Sequence, residues 1–144
     1  MPILKYMADT NAVSDYWRHQ AVRDWFEARR DEVGISAFTV ADLRRGVELK
    51  RGAKSWGTLD RQLRFILEDF AGAILPFDEA AGNEWGRMMA VWRKQLPPLG
   101  DSYLGAVARV HDLTVVTRNL DHFRAVRRVN PHDGLEYPPD QAPV

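Results

Sequence analysis

Two kinds of apolar pattern alternate along this chain. Short unbroken apolar runs read as buried strands, and longer stretches with apolar residues every three or four positions read as helices. Ile3 to Ala8 is the first short run and ends on Asp9. Thr10, Asn11 and Ser14 then supply turn and N-cap chemistry, and Val22, Trp25 and Phe26 share one face of a helix. Gly34 breaks that helix, and Ile35-Ser36 makes a very short second strand. Phe38 to Arg51 reads as a helix closed by Gly52. Trp56, Leu59, Leu63, Ile66 and Phe70 follow at spacings 3, 4, 3, 4, the most regular amphipathic helix in the chain. Ala71-Gly72 ends it, and Ala73 to Phe77 is a third strand. Asp78 to Lys94 is a second long helix with Ala81, Trp85, Met88 and Trp92 on one stripe, stopped by Pro97-Pro98. Gly100-Asp101-Ser102 restarts a helix to about His111. Leu113 to Thr117 is β-branched without polar alternation, as in a strand buried on both faces. Arg127 to Asn130 is a last short strand, and the Pro-rich segment 132–144 reads as loop.

Short apolar strands alternating with helices imply an α/β fold around a mostly parallel sheet. No repeat or linker interrupts it, so residues 1–131 read as one domain followed by the tail 132–144. The length of 144 residues agrees with a single core. No run approaches the length of a membrane span, and the N-terminal apolar run is too quickly charged for a secretory signal, which points to a cytoplasmic protein. The chain has no Cys, which excludes a disulfide framework and a thiolate metal site. Twenty Lys and Arg balance twenty Asp and Glu. A generally basic nucleic-acid coat is therefore excluded, though a local basic patch is not.

Candidate chemistry gathers where an open parallel sheet places it, beyond the carboxyl ends of the strands. Asp9 ends the first strand, and Asn119 and Asp121 follow the strand Leu113–Thr117. Asp101 opens the helix before that strand, and Asp42 lies in the first turns of the helix after Ile35-Ser36. Each has a simpler reading: Asp9 as a cap of the next turn, Asp101 as an N-cap, Asp42 in a capping box with Thr39, Asn119 and Asp121 as turn residues. Together they form a carboxylate set suited to hard cations such as Mg²⁺ or Mn²⁺. Such ions activate water and neutralise a phosphodiester during in-line attack.

The order of motifs resembles a known family. The first strand ends in D-T-N (Asp9-Thr10-Asn11). I-S-x-x-T-x-x-D-L-R-x-G (Ile35 to Gly46), I-L-P-F-D (Ile74 to Asp78), P-L-G-D-S-Y (Pro98 to Tyr103), L-T-V-V-T-R-N (Leu113 to Asn119) and V-N-P (Val129 to Pro131) follow. This series resembles PIN-domain ribonucleases, specifically VapC-type toxins of bacterial toxin–antitoxin pairs, over residues 3 to 131. The resemblance implies a three-layer α/β/α fold and a Mg²⁺- or Mn²⁺-dependent endoribonuclease acting on structured or translation-linked RNA. It also implies a homodimer neutralised by a small antitoxin. Asp9 and Asp101 match the family's most direct metal ligands, Asp42 stands where the family usually has Glu, and Asn119 and Asp121 fall in its fourth acidic region. Thr10 and Thr117 match hydroxyls near the site.

Two departures stand out. Asp42 is one methylene shorter than Glu, which fits an altered enzyme or a PIN-fold module that binds antitoxin or RNA without cleaving. The fourth region, often N-x-x-D-F, here reads Asn119-Leu120-Asp121-His122-Phe123, with its acid displaced by one residue. Either Asn119 or Asp121 faces the site, and His122 is a possible substitute. Arg44, Arg45, Arg51 and Lys54, with Arg118, Arg124, Arg127 and Arg128, are candidate contacts for RNA phosphates, and Arg118 adjoins the expected site. The apolar stripes carrying Trp56, Trp85 and Trp92 read first as core, and otherwise as faces that pack on each other as a hairpin or on a partner.

Overall fold

A computed structural model of the chain describes residues 3–144. Met1 and Pro2, which begin the N-terminal segment read above for a secretory signal, lie outside the described residues. The chain runs β1 (Tyr6–Ala8), α1 (Thr10–Tyr16), α2 (Gln20–Glu27), β2 (Val33–Ser36), α3 (Ala37–Glu48), α4 (Trp56–Asp69), β3 (Ile74–Leu75) and α5 (Glu79–Val91). It continues through α6 (Leu99–Val110), β4 (Thr114–Val116), β5 (Arg128–Val129) and β6 (Glu136–Tyr137). One-turn 3₁₀ helices at Arg30–Glu32 and Leu120–Phe123 precede β2 and β5.

The six strands form one sheet in the order β3-β2-β1-β4-β5-β6. All neighbours are parallel except β6, which runs antiparallel to β5. The chain builds outward from β1 to β2 and β3, then returns to lay β4 on the other side of β1. The switch point therefore lies between β1 and β4, where open parallel sheets bind their ligands.

Period-two alternation sorts the central strands between two layers. Ala8, Ile35 and Val116 face Ala12 and Val13 of α1, Val22, Trp25 and Phe26 of α2, and Ile66 of α4. Met7 and Val115 face the other way, onto Leu104, Val107 and Ala108 of α6 and Ala81 of α5. The expected three-layer architecture is what forms. The two Trp-bearing helices do not form a hairpin with each other: α4 packs on α3, and α5 packs on α6. No described helix is long and apolar enough to cross a membrane.

Several local expectations are corrected. Asp9, rather than Thr10, Asn11 or Ser14, is the N-cap of α1, and its carboxylate accepts the Ala12 N–H at 2.8 Å. Gly34 is not a helix breaker but an interior residue of β2. A Cβ there would sit 2.8 Å from the Ala73 carbonyl oxygen and 2.9 Å from Leu4 Cδ1, so glycine is needed for close approach. The third strand contracts to Ile74–Leu75. The segment 132–144 is not all loop, because Glu136–Tyr137 pairs with β5. It is pinned there by buried Arg128, which donates to the Pro138 carbonyl at 2.8 Å and pairs with Asp140 at 3.3 Å.

Candidate functional site

Register builds the site. Ala8 lies beside Val116, so the next residues on each strand, Asp9 and Thr117, come side by side at the switch point. The Thr117 hydroxyl donates to Asp9 Oδ2 at 2.6 Å, and the Ala12 N–H donates to Oδ1. Thr117 Oγ1 in turn accepts the Asn119 N–H at 2.9 Å, which fixes the start of the following turn. Asp9 is only 3% exposed. Burial pushes its carboxyl from 3.8 up to about 6 despite the opposing pull of these two donors; the negative charges of Asp101 and Asp15 add to the rise.

Asp101 reaches the site from α6. That helix begins at Leu99 with Pro98 as its N-cap, so Asp101 lies in the first turn and is not the cap itself. The turn is held firmly. Ser102 Oγ donates to the Leu99 carbonyl at 2.5 Å and accepts the Trp85 indole N–H at 2.8 Å. Tyr103 stacks between Phe38 at 4.9 Å and Trp85 at 5.5 Å. Asp101 Oδ2 lies 2.7 Å from His122 Nδ1.

Asp42 projects from α3 into solvent and accepts the Thr10 hydroxyl at 3.0 Å. The capping box with Thr39 does not form: Ser36 caps α3 by accepting the Phe38 N–H, and the Thr39 hydroxyl is buried without a partner. Of the fourth region, Asn119 stands at the site through its backbone contact with Thr117. Asp121 lines a small cleft with Trp92, Gln95 and Pro97 instead. Counting back from Phe123, His122 holds the place that the N-x-x-D-F pattern gives to its acid, and it is His122 that touches Asp101.

A second network flanks the first. Asp15, buried on α1, accepts both Arg118 Nη1, at 3.0 and 3.2 Å, and His132 Nε2, at 3.0 Å. His19 packs edge-on against His132. Asp15 and His132 escaped the sequence reading, and no local pattern marks them: Asp15 sits between Ser14 and Tyr16 at the end of a short, largely polar helix sequence. Most of the other candidate basic residues are engaged within the chain. Arg44 pairs with Asp60, Arg51 with Glu48, Arg124 with Asp140 and Arg127 with Asp112, while Arg128 is buried.

The donor set is one of carboxylate oxygens. No three described His, Asp or Glu side chains already converge as a closed metal cage. A hard, strongly hydrated cation does not need one: Mg²⁺ characteristically takes one or two carboxylates and completes its shell with water and substrate phosphate. A buried carboxylate held unfavourably charged, with a second acid near enough to raise its pKa, fits such an ion. Asp9 and Asp101 are the residues that would hold it.

A PIN domain matches residues 6–129. The chain belongs to the PIN-domain family. It is 36% identical over 126 residues to Toxin FitB of Neisseria gonorrhoeae, covering 83% of this chain and 91% of that protein. It is 33% identical over 124 residues to VapC ribonuclease Y4jK of Sinorhizobium fredii, covering 81% of this chain and 89% of that protein. The crystal structure of FitAcB from N. gonorrhoeae superposes with a TM-score of 0.80 at 35% identity, covering 88% of this chain and 97% of that one.

Proposed function

We propose that this PIN-domain protein is a divalent-cation-dependent endoribonuclease that acts as the toxin of a toxin–antitoxin pair in the bacterial cytoplasm. The observation that carries the reading is the placement of buried Asp9 and first-turn Asp101 at the β1/β4 switch point. The similarity to Toxin FitB and to a VapC ribonuclease supports the same conclusion. Bound by these two carboxylates, Mg²⁺ or Mn²⁺ would supply Lewis-acid stabilisation of phosphodiester charge and a nucleophilic water. The chain's own residues prepare the place. Thr117 and the Ala12 N–H hold both oxygens of Asp9. The stacked Phe38, Tyr103 and Trp85 rings fix the helix turn that presents Asp101. Asp42, held by Thr10, lies at the rim, where it can orient a hydrated cation. Arg118 is anchored on Asp15 through Nη1, with no partner for Nε or Nη2 among the described residues, and its half-exposed guanidinium suits a neighbouring RNA phosphate.

The same reading assigns the antitoxin a surface. α1, α2 and α4 enclose a mostly apolar groove of about 130 Å³ lined by Val13, Trp17, Phe26 and Phe65, with the charged residues Glu27, Arg30 and Asp69 also on its wall. Phe65 is 52% exposed on its rim, a large ring left in water. An amphipathic helix of a small partner would cover such a groove. The reading also implies a homodimer.

The test is cleavage of a mixed-sequence single-stranded RNA by the purified chain. Cleavage with Mn²⁺ or Mg²⁺ and none in EDTA supports the enzyme. RNA or antitoxin binding without cleavage under any cation identifies a binding module instead.

A further inference from the structure

We infer that His122 is a positioning residue for Asp101: its ring N–H pins one carboxylate oxygen and turns the other toward the divalent cation. The inference rests on the reading of Asp9 and Asp101 as cation ligands and adds a residue to it.

Asp101 occupies the third position of α6, from which an acid ordinarily folds back onto the N-cap backbone N–H. Here the N-cap is Pro98, which has no N–H to offer. The carboxylate is therefore free to leave its own helix, and it meets His122 Nδ1 at 2.7 Å. An ionised carboxylate only accepts, so Nδ1 carries the proton.

The ring is delivered by a stiff element. Phe123, the next residue, is buried in the core beside Leu104 and Val126. The His122 backbone N–H donates to the Asn119 carbonyl at 3.0 Å, and Asn119 is itself tied to Thr117. A run of hydrogen bonds thus leads from Asp9 through Thr117 and Asn119 to His122 and on to Asp101, linking both proposed ligands. Asp121 lies outside this run and lines the cleft with Trp92. Groups that orient a metal-binding carboxylate typically change cation affinity by about 10–100-fold when removed.

The experiment measures Mn²⁺ affinity directly, by electron paramagnetic resonance of free Mn²⁺, for the full chain and its variants. Melting in EDTA monitors folding. His122→Ala is expected to weaken Mn²⁺ binding by about tenfold or more. His122→Asn, whose amide nitrogen falls where Nδ1 lies, is expected to restore binding to within about threefold of wild type. His122→Gln, whose nitrogen falls nearer Nε2, is expected not to restore it. A merely structural role would not separate Asn from Gln. Wild-type affinity in the Ala variant, failure of Asn to restore binding, or equal restoration by Gln overturns the inference. Asp101→Asn, run alongside, distinguishes the two readings: if it binds Mn²⁺ as wild type does, the ligand assignment itself has failed.

Discussion

Replacing Asp9 by Asn removes a charge that burial opposes, and the effect on stability can be worked from the structure. In the metal-free protein the Asp9 carboxyl rises from 3.8 to about 6, chiefly through burial. Between about pH 4 and pH 6 the folded chain holds a proton that the unfolded chain has released, so stability must fall as pH rises through that window. The rise corresponds to about 3 kcal/mol. Asp9→Asn is neutral throughout and should not show that fall. Its amide oxygen can accept from only one of the Thr117 hydroxyl and the Ala12 N–H, which takes back about 1 kcal/mol. The variant should therefore be more stable than wild type at pH 7 in EDTA by about 2 kcal/mol, or on the order of 8 °C in melting temperature. Urea denaturation at pH 4, 5, 6 and 7 in EDTA measures it; the difference between the two chains isolates Asp9 from carboxyls elsewhere. Saturating Mn²⁺ should reverse the order by stabilising only the wild type. An unchanged pH slope in the variant, or lower stability than wild type at pH 7 in EDTA, would refute the reasoning.

Three other perturbations have defined outcomes. Thr117→Val removes the hydroxyl donor to Asp9, so the fall in metal-free stability should extend above pH 6, and calorimetric titration should show Mn²⁺ affinity reduced by about tenfold. Gly34→Ala drives a Cβ against the Ala73 carbonyl between β2 and β3, and urea denaturation should show a loss of about 1–3 kcal/mol. Asp15→Ala strips the buried partner from Arg118 and His132. The loss should be about 2–3 kcal/mol, below that of a fully buried pair because Arg118 is 46% exposed.

Much of the fold was legible because its helices are amphipathic with a clear period and its central strands are short and apolar. The spacing of Trp56, Leu59, Leu63 and Ile66 marks α4 closely, and the run Leu113–Thr117 marks β4. What the pattern misread was local and had physical causes. Gly34 has the composition of a breaker, but its role is decided by the Ala73 backbone, distant in sequence. β6 carries no apolar run, since its place is set by pairing with β5 and by buried Arg128. At the site, the positions of Asp9, Asp101 and Thr117 follow from strand ends and a helix start, which sequence shows. Register, which sequence does not show, joins Asp9 to Thr117. Asp15 looked like an ordinary helix acid because its partners, Arg118 and His132, lie more than a hundred residues away. The choice between Asn119, Asp121 and His122 depended on how one 3₁₀ turn is wound, and a single residue of phase directs Asp121 to one cleft and His122 to Asp101.

Asp101→Asn tests the central claim more cleanly than Asp9→Asn, because Asp101 is half-buried and its neutralisation perturbs stability less. The decisive measurement is the initial rate of RNA cleavage by wild type and Asp101→Asn across a Mn²⁺ titration, with an EDTA arm. The account predicts Mn²⁺-dependent cleavage by wild type, none in EDTA, and loss of at least about a hundredfold in the folded variant. Wild-type rates in the variant, or cleavage that persists in EDTA, would contradict it.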